Sequence, residues 1–143
     1  SVELVEELER HAAKIGEGSR VKGEGNSFEP LEVFIQVNIS GEATKFGCKP
    51  EDASSLAKAV CQLPHLRLQG LMTIAPFSDD VERTRPVFQQ LRCLRDQIQR
   101  ALFHPTPFTL HLSMGMSNDF EVAIEEGADV ARIGSAFFGA RTP

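Results

Sequence analysis

Cysteine is scarce in this chain: Cys48, Cys61 and Cys93 are odd in number and far apart, so a disulfide framework is not expected. No C-x-x-C pair and no histidine at ligand spacing accompanies them, which argues against structural zinc. Cys61 and Cys93 fall on apolar helical positions, so packing is their expected role, while Cys48 lies in a polar loop. No apolar run approaches the roughly 20 residues that span a bilayer, and the amphipathic start from Ser1 to Lys14 lacks the apolar centre of a secretion signal. Basic excess is missing too. The formal net charge is -5 and the pI is near 5.4, which argues against a general nucleic-acid or anionic-membrane partner. From these absences we expect a cytoplasmic chain that holds any bound anion locally. Paired carboxylates suited to acid–base catalysis are also lacking, since Glu42 and the Asp79-Asp80 pair read as solvated loop charge. His11, His65, His104 and His111 have no acidic or nucleophilic partner nearby in sequence, and each reads as structural or solvent-facing.

What is present suits one compact domain: 143 residues, 41% of them hydrophobic. Val2, Val5, Leu8, Ala12 and Ile15 keep the rhythm of an amphipathic helix that ends in the loop Gly16 to Gly25. Leu31 to Ile39 reads as a largely buried strand broken by Ser40-Gly41. Pro50-Glu51-Asp52 opens a helix with Ala53, Leu56, Ala57 and Val60 on one face, and Pro64 stops it. Leu66 to Ile74 is the second strand. A long helix follows over Val81 to Leu102, its regular part starting near Pro86, with Val87, Leu91, Leu94, Ile98 and Ala101 inward. Phe108 to Met114 is a third strand, Asn118 to Glu126 a short helix stopped by Gly127, and Asp129 to Gly134 a fourth strand. Helices alternate with strands and no hairpin signal interrupts them, so the sheet is parallel.

Ligands of parallel α/β proteins bind where the strand-to-helix loops converge, and the polar clusters of this chain lie there. The third and fourth strands end in Ser113-Met114-Gly115-Met116-Ser117-Asn118-Asp119 and Arg132-Ile133-Gly134-Ser135. Glycine lets an anion approach the backbone, serine adds a donor, and a helix starting there presents unpaired N–H groups. Ser117 fits either a helix cap or a cap that also binds phosphate, with Asn118 and Glu121 able to form a capping box. Arg132, between Val130 and Ile133, needs an acceptor or an anion. Gly134 and Ser135 read as a tight turn or as an anion site. Met114 and Met116 read as core, one of them also open to a ligand. Asn38 fits a satisfied core amide and a cofactor contact equally, and Lys45 reads as an exposed lysine.

At these residues the chain resembles the pyridoxal phosphate homeostasis protein family. The resemblance runs from about Val2 to Arg141, nearly the full chain. It is carried by Gln36-Val37-Asn38-Ile39-Ser40-Gly41-Glu42 with Lys45 and Gly47, and by Gly70-Leu71-Met72-Thr73-Ile74. More specific are Leu112 to Ser117 with Asp119-Phe120, and Arg132-Ile133-Gly134-Ser135 with Phe138-Gly139. The resemblance implies a fold like the barrel domain of alanine racemase and binding of pyridoxal 5'-phosphate (PLP) by a carrier or buffer rather than an enzyme. It implies that Ser117, Gly134 and Ser135 bind the PLP phosphate and that Arg132 approaches the pyridine nitrogen or the phosphate edge. Met114 and Asn38 complete the expected cofactor-binding set.

The family's Schiff-base lysine, in a Val-Ser-Lys context, and its His-Phe-Ile-Gly motif do not occur here. A (β/α)8 barrel typically takes about 250 residues and needs eight strands. The expected fold class is therefore α/β, the C-terminal half of a (β/α)8 TIM-type barrel, with four parallel strands alternating with helices. Residues 1–143 form a single partial PLP-binding domain that grips the phosphate end only, and plain phosphate or sulfate would fit the same turns. Open strand edges imply self-association or pairing with a missing N-terminal half. Two other functions fit the same turns: a PLP-dependent racemase-like enzyme, and a barrel aldolase or isomerase acting on a phosphate-bearing substrate.

Overall fold

A computed structural model describes residues 1–18, 29–103 and 108–139. Its helices are α1 (Val2–Gly18), α2 (Pro50–Cys61), α3 (Arg85–Leu102), α4 (Phe120–Glu125) and α5 (Ser135–Phe138). The strands are β1 (Leu31–Gln36), β2 (Leu66–Met72), β3 (His111–Met116) and β4 (Val130–Arg132), and a 3-10 turn (Val81–Thr84) precedes α3. They form one four-stranded sheet in the order β1-β2-β3-β4, with every pairing parallel. Sequential spatial order and crossovers of one hand put the connecting helices on one face, as in a barrel wall. The expected half-barrel arrangement of strands and helices is what forms.

Strand alternation divides the residues. Ile35, Val37, Leu68, Leu71, Leu112 and Met114 are buried in the core with Ala53, Ala57, Val60, Phe88, Leu91 and Ile98 from the helices. The opposite face stays open, with Phe34 39% exposed, Met116 38% and Val130 43%. Two glycines make the packing possible. A Cβ on Gly70 would lie 2.0 Å from the carbonyl oxygen of His111, so no side chain fits between β2 and β3 there. Gly115, at φ +91°, would place a Cβ 2.6 Å from the Cβ of Ala123, so its absence lets α4 press onto β3.

Several boundaries differ from expectation for identifiable reasons. β1 ends at Gln36, although Val37 N–H still donates to Met72 O on β2; on the other edge Cys48 N–H donates to Gln36 O and Asn38 N–H to Cys48 O, so the loop after β1 closes back on the strand end. β3 starts at His111, not Phe108, because side chains take the backbone of Leu110: its N–H donates to Gln99 Oε1 and its carbonyl accepts from Arg95. α1 continues past Ile15 to Gly18, and the remainder of the expected glycine-rich loop, residues 19–25, lies outside the described residues, as does His104. On α1, Val5 and Ala12 of the expected stripe are buried, while Val2 and Leu8 are exposed. On α3 the inward stripe is Phe88, Leu91 and Ile98, whereas Ala101 is exposed. Cys61, at the last position of α2, and Cys93 are both exposed, which corrects the packing role expected of them.

Candidate phosphate site at the ends of β3 and β4

The chain leaves β3 through a tight turn whose hydrogen bonds come from one carboxylate and one carbonyl. Asp119 Oδ1 accepts the Met116 N–H at 2.7 Å, and Asp119 N–H donates to Met116 O at 3.1 Å. Asp119 is buried although it carries a carboxylate, and it also occupies the N-cap position of α4. The expected Asn118–Glu121 capping box does not form: the cap lies one residue later, and Asn118 Nδ2 donates to Ser78 O, tying this turn to the loop after β2. Ser117, at the crest of the turn, is not that helix cap. Its Oγ accepts the Gly134 N–H at 3.2 Å, joining the loops after β3 and β4.

Met116 pairs with Arg132 across these strands. The Arg132 guanidinium ties β4 to β3 and to the residue just after β2: Nη1 donates to Ser113 O (3.1 Å) and Ser113 Oγ (2.6 Å), and Nη2 donates to Thr73 O (2.9 Å). Thr73 in turn donates its hydroxyl to Val37 O at 2.8 Å. All three acceptors of Arg132 are neutral, and among the described residues it forms no ion pair. Burial pulls its pKa below the ordinary arginine value, and the nearby Asp119 carboxylate acts in the opposite sense. A half-buried cation held on neutral groups is electrostatically suited to an anion.

Gly134 and Ser135 lie at the start of α5, as expected, and both are exposed. Gly134 has open space where a side chain would be, and its carbonyl accepts the N–H groups of Phe137 and Phe138. The Ser135 N–H makes no hydrogen bond to a described residue. Ser117, Arg132, Gly134 and Ser135 are thus gathered around facing turns.

The other two expected ligand residues are placed elsewhere. Met114 is fully buried on the helix-facing side, so its side chain has no surface to offer a ligand; Met116 is the methionine on the open face. Asn38 builds the loop after β1: its Nδ2 donates to Glu42 O (2.9 Å) and Lys45 O (3.4 Å), while its Oδ1 accepts from Ser40 Oγ and Gly41 N, both at 3.1 Å. Lys45, half-buried rather than exposed, lies 4.0 Å from Glu42. Histidines find acids across the fold that local sequence did not reveal: His65 Nδ1 meets Glu9 at 2.5 Å, and His111 Nδ1 lies 3.6 Å from Asp129. Among the described residues no cluster of His, Cys, Asp and Glu suits a metal, and no helix is long and apolar enough to cross a membrane.

Sequence reasoning gave no roles to Thr73, Ser113 and Asp119, which position the site. The available signal was hydroxyl residues inside apolar strands, beside a strand that also carries an arginine.

The family described as "Alanine racemase, N-terminal domain" matches residues 1–142. The chain belongs to this family. Among curated relatives, the Pyridoxal phosphate homeostasis protein of Aquifex aeolicus is 50% identical over 110 residues, covering 77% of this chain and 47% of that protein. Of the solved structures, PipY of Synechococcus elongatus without PLP aligns with TM-score 0.79 at 30% identity, over 97% of this chain and 58% of that one. The same protein with PLP bound gives TM-score 0.74 at 28% identity, over 97% and 57%. The chain spans about half the length of the curated relatives it matches, 47% for the Aquifex protein. Its four-stranded sheet corresponds to part of a PLP-binding, TIM-barrel-like family fold.

Proposed function

We propose that this chain is a single partial barrel domain that holds the phosphate end of PLP, as a non-enzymatic participant in PLP homeostasis or carriage. The observation that carries this reading is the union of Ser117 with Gly134 beside Arg132, a half-buried cation whose hydrogen-bond partners are all neutral. The name of the Aquifex relative and the PLP-bound PipY structure support the choice of anion.

The residues present fit a phosphate group. The Ser135 N–H and the Ser117 hydroxyl supply donors, and Gly134 keeps the approach open. Arg132, two residues before Gly134 and held on Ser113 and Thr73, is assigned to the pyridine nitrogen or the phosphate edge. When bound, PLP supplies an electron sink through its protonated ring nitrogen, and a cation beside that nitrogen disfavours the protonation. This chain's contribution is then to hold and release the molecule. None of β1 to β4 contains a lysine, so the strands shown here offer the aldehyde end no amine. The open edges of β1 and β4 would be covered by a second copy or by an upstream half of the barrel.

Titration with PLP and with inorganic phosphate tests the assignment. Ser117→Ala and Arg132→Ala are each expected to weaken both ligands about tenfold, the loss of roughly one charge-assisted hydrogen bond. Unchanged affinity in both variants would place the anion elsewhere. Turnover of an added amino acid by the PLP-loaded protein would overturn the non-enzymatic part.

A further inference from the structure

Asp119 is an unexpected neighbour for an anion site. It is a buried carboxylate two positions beyond Ser117, on the same turn, and one of its oxygens accepts the N–H of Met116. Met116 is the residue paired with Arg132 in the sheet, so the carboxylate is anchored on the β3 residue that neighbours the arginine's own backbone, one position before Ser117. Among the described residues Asp119 is the carboxylate whose charge acts on Arg132, and the hydrogen-bond acceptors of that arginine are neutral. The turn needs an acceptor at this place, and a neutral amide oxygen would provide one. The negative charge is an addition to that requirement.

We propose that Asp119 is an affinity-setting residue of the phosphate site: one oxygen shapes the turn that presents Ser117, and the charge offsets Arg132 so that a bound anion is released readily. The proposal rests on the PLP-binding reading above. A like charge fixed beside a phosphate raises its dissociation constant, and a cation already balanced by a neighbour attracts an incoming anion less. Hydrogen bond and charge act in opposite directions on affinity, so they can be separated.

Asp119→Asn keeps an oxygen for the Met116 N–H and removes the charge, whereas Asp119→Ala removes both. Equilibrium titration with inorganic phosphate and with PLP, at constant ionic strength, is the test, alongside thermal melts of the unliganded proteins. The expected result is that Asp119→Asn binds both anions about tenfold more tightly, as removal of one unit charge several ångströms away predicts at a protein surface. The tightening should shrink as salt is raised. Asp119→Ala should bind more weakly than the wild type, through loss of the turn. Should Asp119→Asn fail to melt cooperatively, Asp119→Ser, with a neutral acceptor, carries the same expectation. Weaker or unchanged binding by the neutral, folded variant overturns the proposal and leaves Asp119 a purely structural residue. If the wild type binds inorganic phosphate but not PLP, the PLP reading fails while the affinity-setting role is still judged by phosphate. A wild type that binds neither anion overturns both.

Discussion

Replacing Gly115 by alanine tests how the site is built. Gly115 sits at φ +91°, where an L-residue is strained by about 1–2 kcal/mol. The new Cβ would lie 2.6 Å from Ala123 Cβ and 3.1 Å from Phe120 Cα, so α4 must move away from β3. Overpacking of that kind costs about 1–3 kcal/mol. The two effects together predict a loss of about 2–5 kcal/mol, or roughly 6–15 °C in Tm at about 3 °C per kcal/mol. Because α4 follows directly on the turn carrying Ser117, phosphate affinity should fall as well. Ala123→Gly in the Gly115→Ala background removes the nearest clashing atom. It should restore up to about 2 kcal/mol, the relieved overpacking less the roughly 1 kcal/mol that glycine costs inside a helix. The two substitutions should therefore couple strongly in a double-mutant cycle followed by urea denaturation. A loss below about 1 kcal/mol for Gly115→Ala, or strictly additive effects, would refute the account of α4 packing on β3.

Two further outcomes are expected. The hydrogen bonds of Arg85, together with those of Gln89 and the charge of Arg92, hold the Glu126 carboxyl below its ordinary pKa although burial works against this. A depressed folded-state pKa means that the stabilisation is present above the unfolded value, about 4.5, and is lost as pH falls through the folded value. Glu126→Gln should thus lower Tm by roughly 3 °C at pH 7, with the gap to wild type closing in melts below about pH 4.5. Asn38→Ala removes both donor and acceptor roles from the loop after β1; a loss of about 2–3 kcal/mol in urea denaturation and faster proteolysis within residues 40–47 are expected.

The alternation of helices and parallel strands was legible because apolar periodicity and the breakers Pro50, Pro64 and Gly127 are local signals. The grouping of Ser117, Arg132, Gly134 and Ser135 was legible for a related reason: in a parallel sheet, strand ends share one rim. Bonds made across the fold were not. The Arg95 and Gln99 side chains reach back from α3 to the backbone of Leu110, and nothing near Phe108 announces them. Asp119 looked like one polar residue of a helix start, because its bond to Met116 depends on the shape of the turn. Met114 and Met116 share strand parity, and the irregularity at Gly115 between them, with its φ of +91°, leaves the first buried and the second exposed. Cys61 and Cys93 lie near apolar stripes without belonging to them, a difference of one helical position.

The side chain of Asn38 has a consequence for how this sequence can drift. It both gives and receives hydrogen bonds within one short loop. Aspartate would keep the acceptor and lose the donor, and glutamine would carry the amide a methylene too far. Selection on foldability alone would therefore freeze this position as firmly as a residue touching ligand. Invariance in the segment 36–42 would then record the architecture of a loop, and a comparison of sequences would have to separate that constraint from one imposed by a ligand.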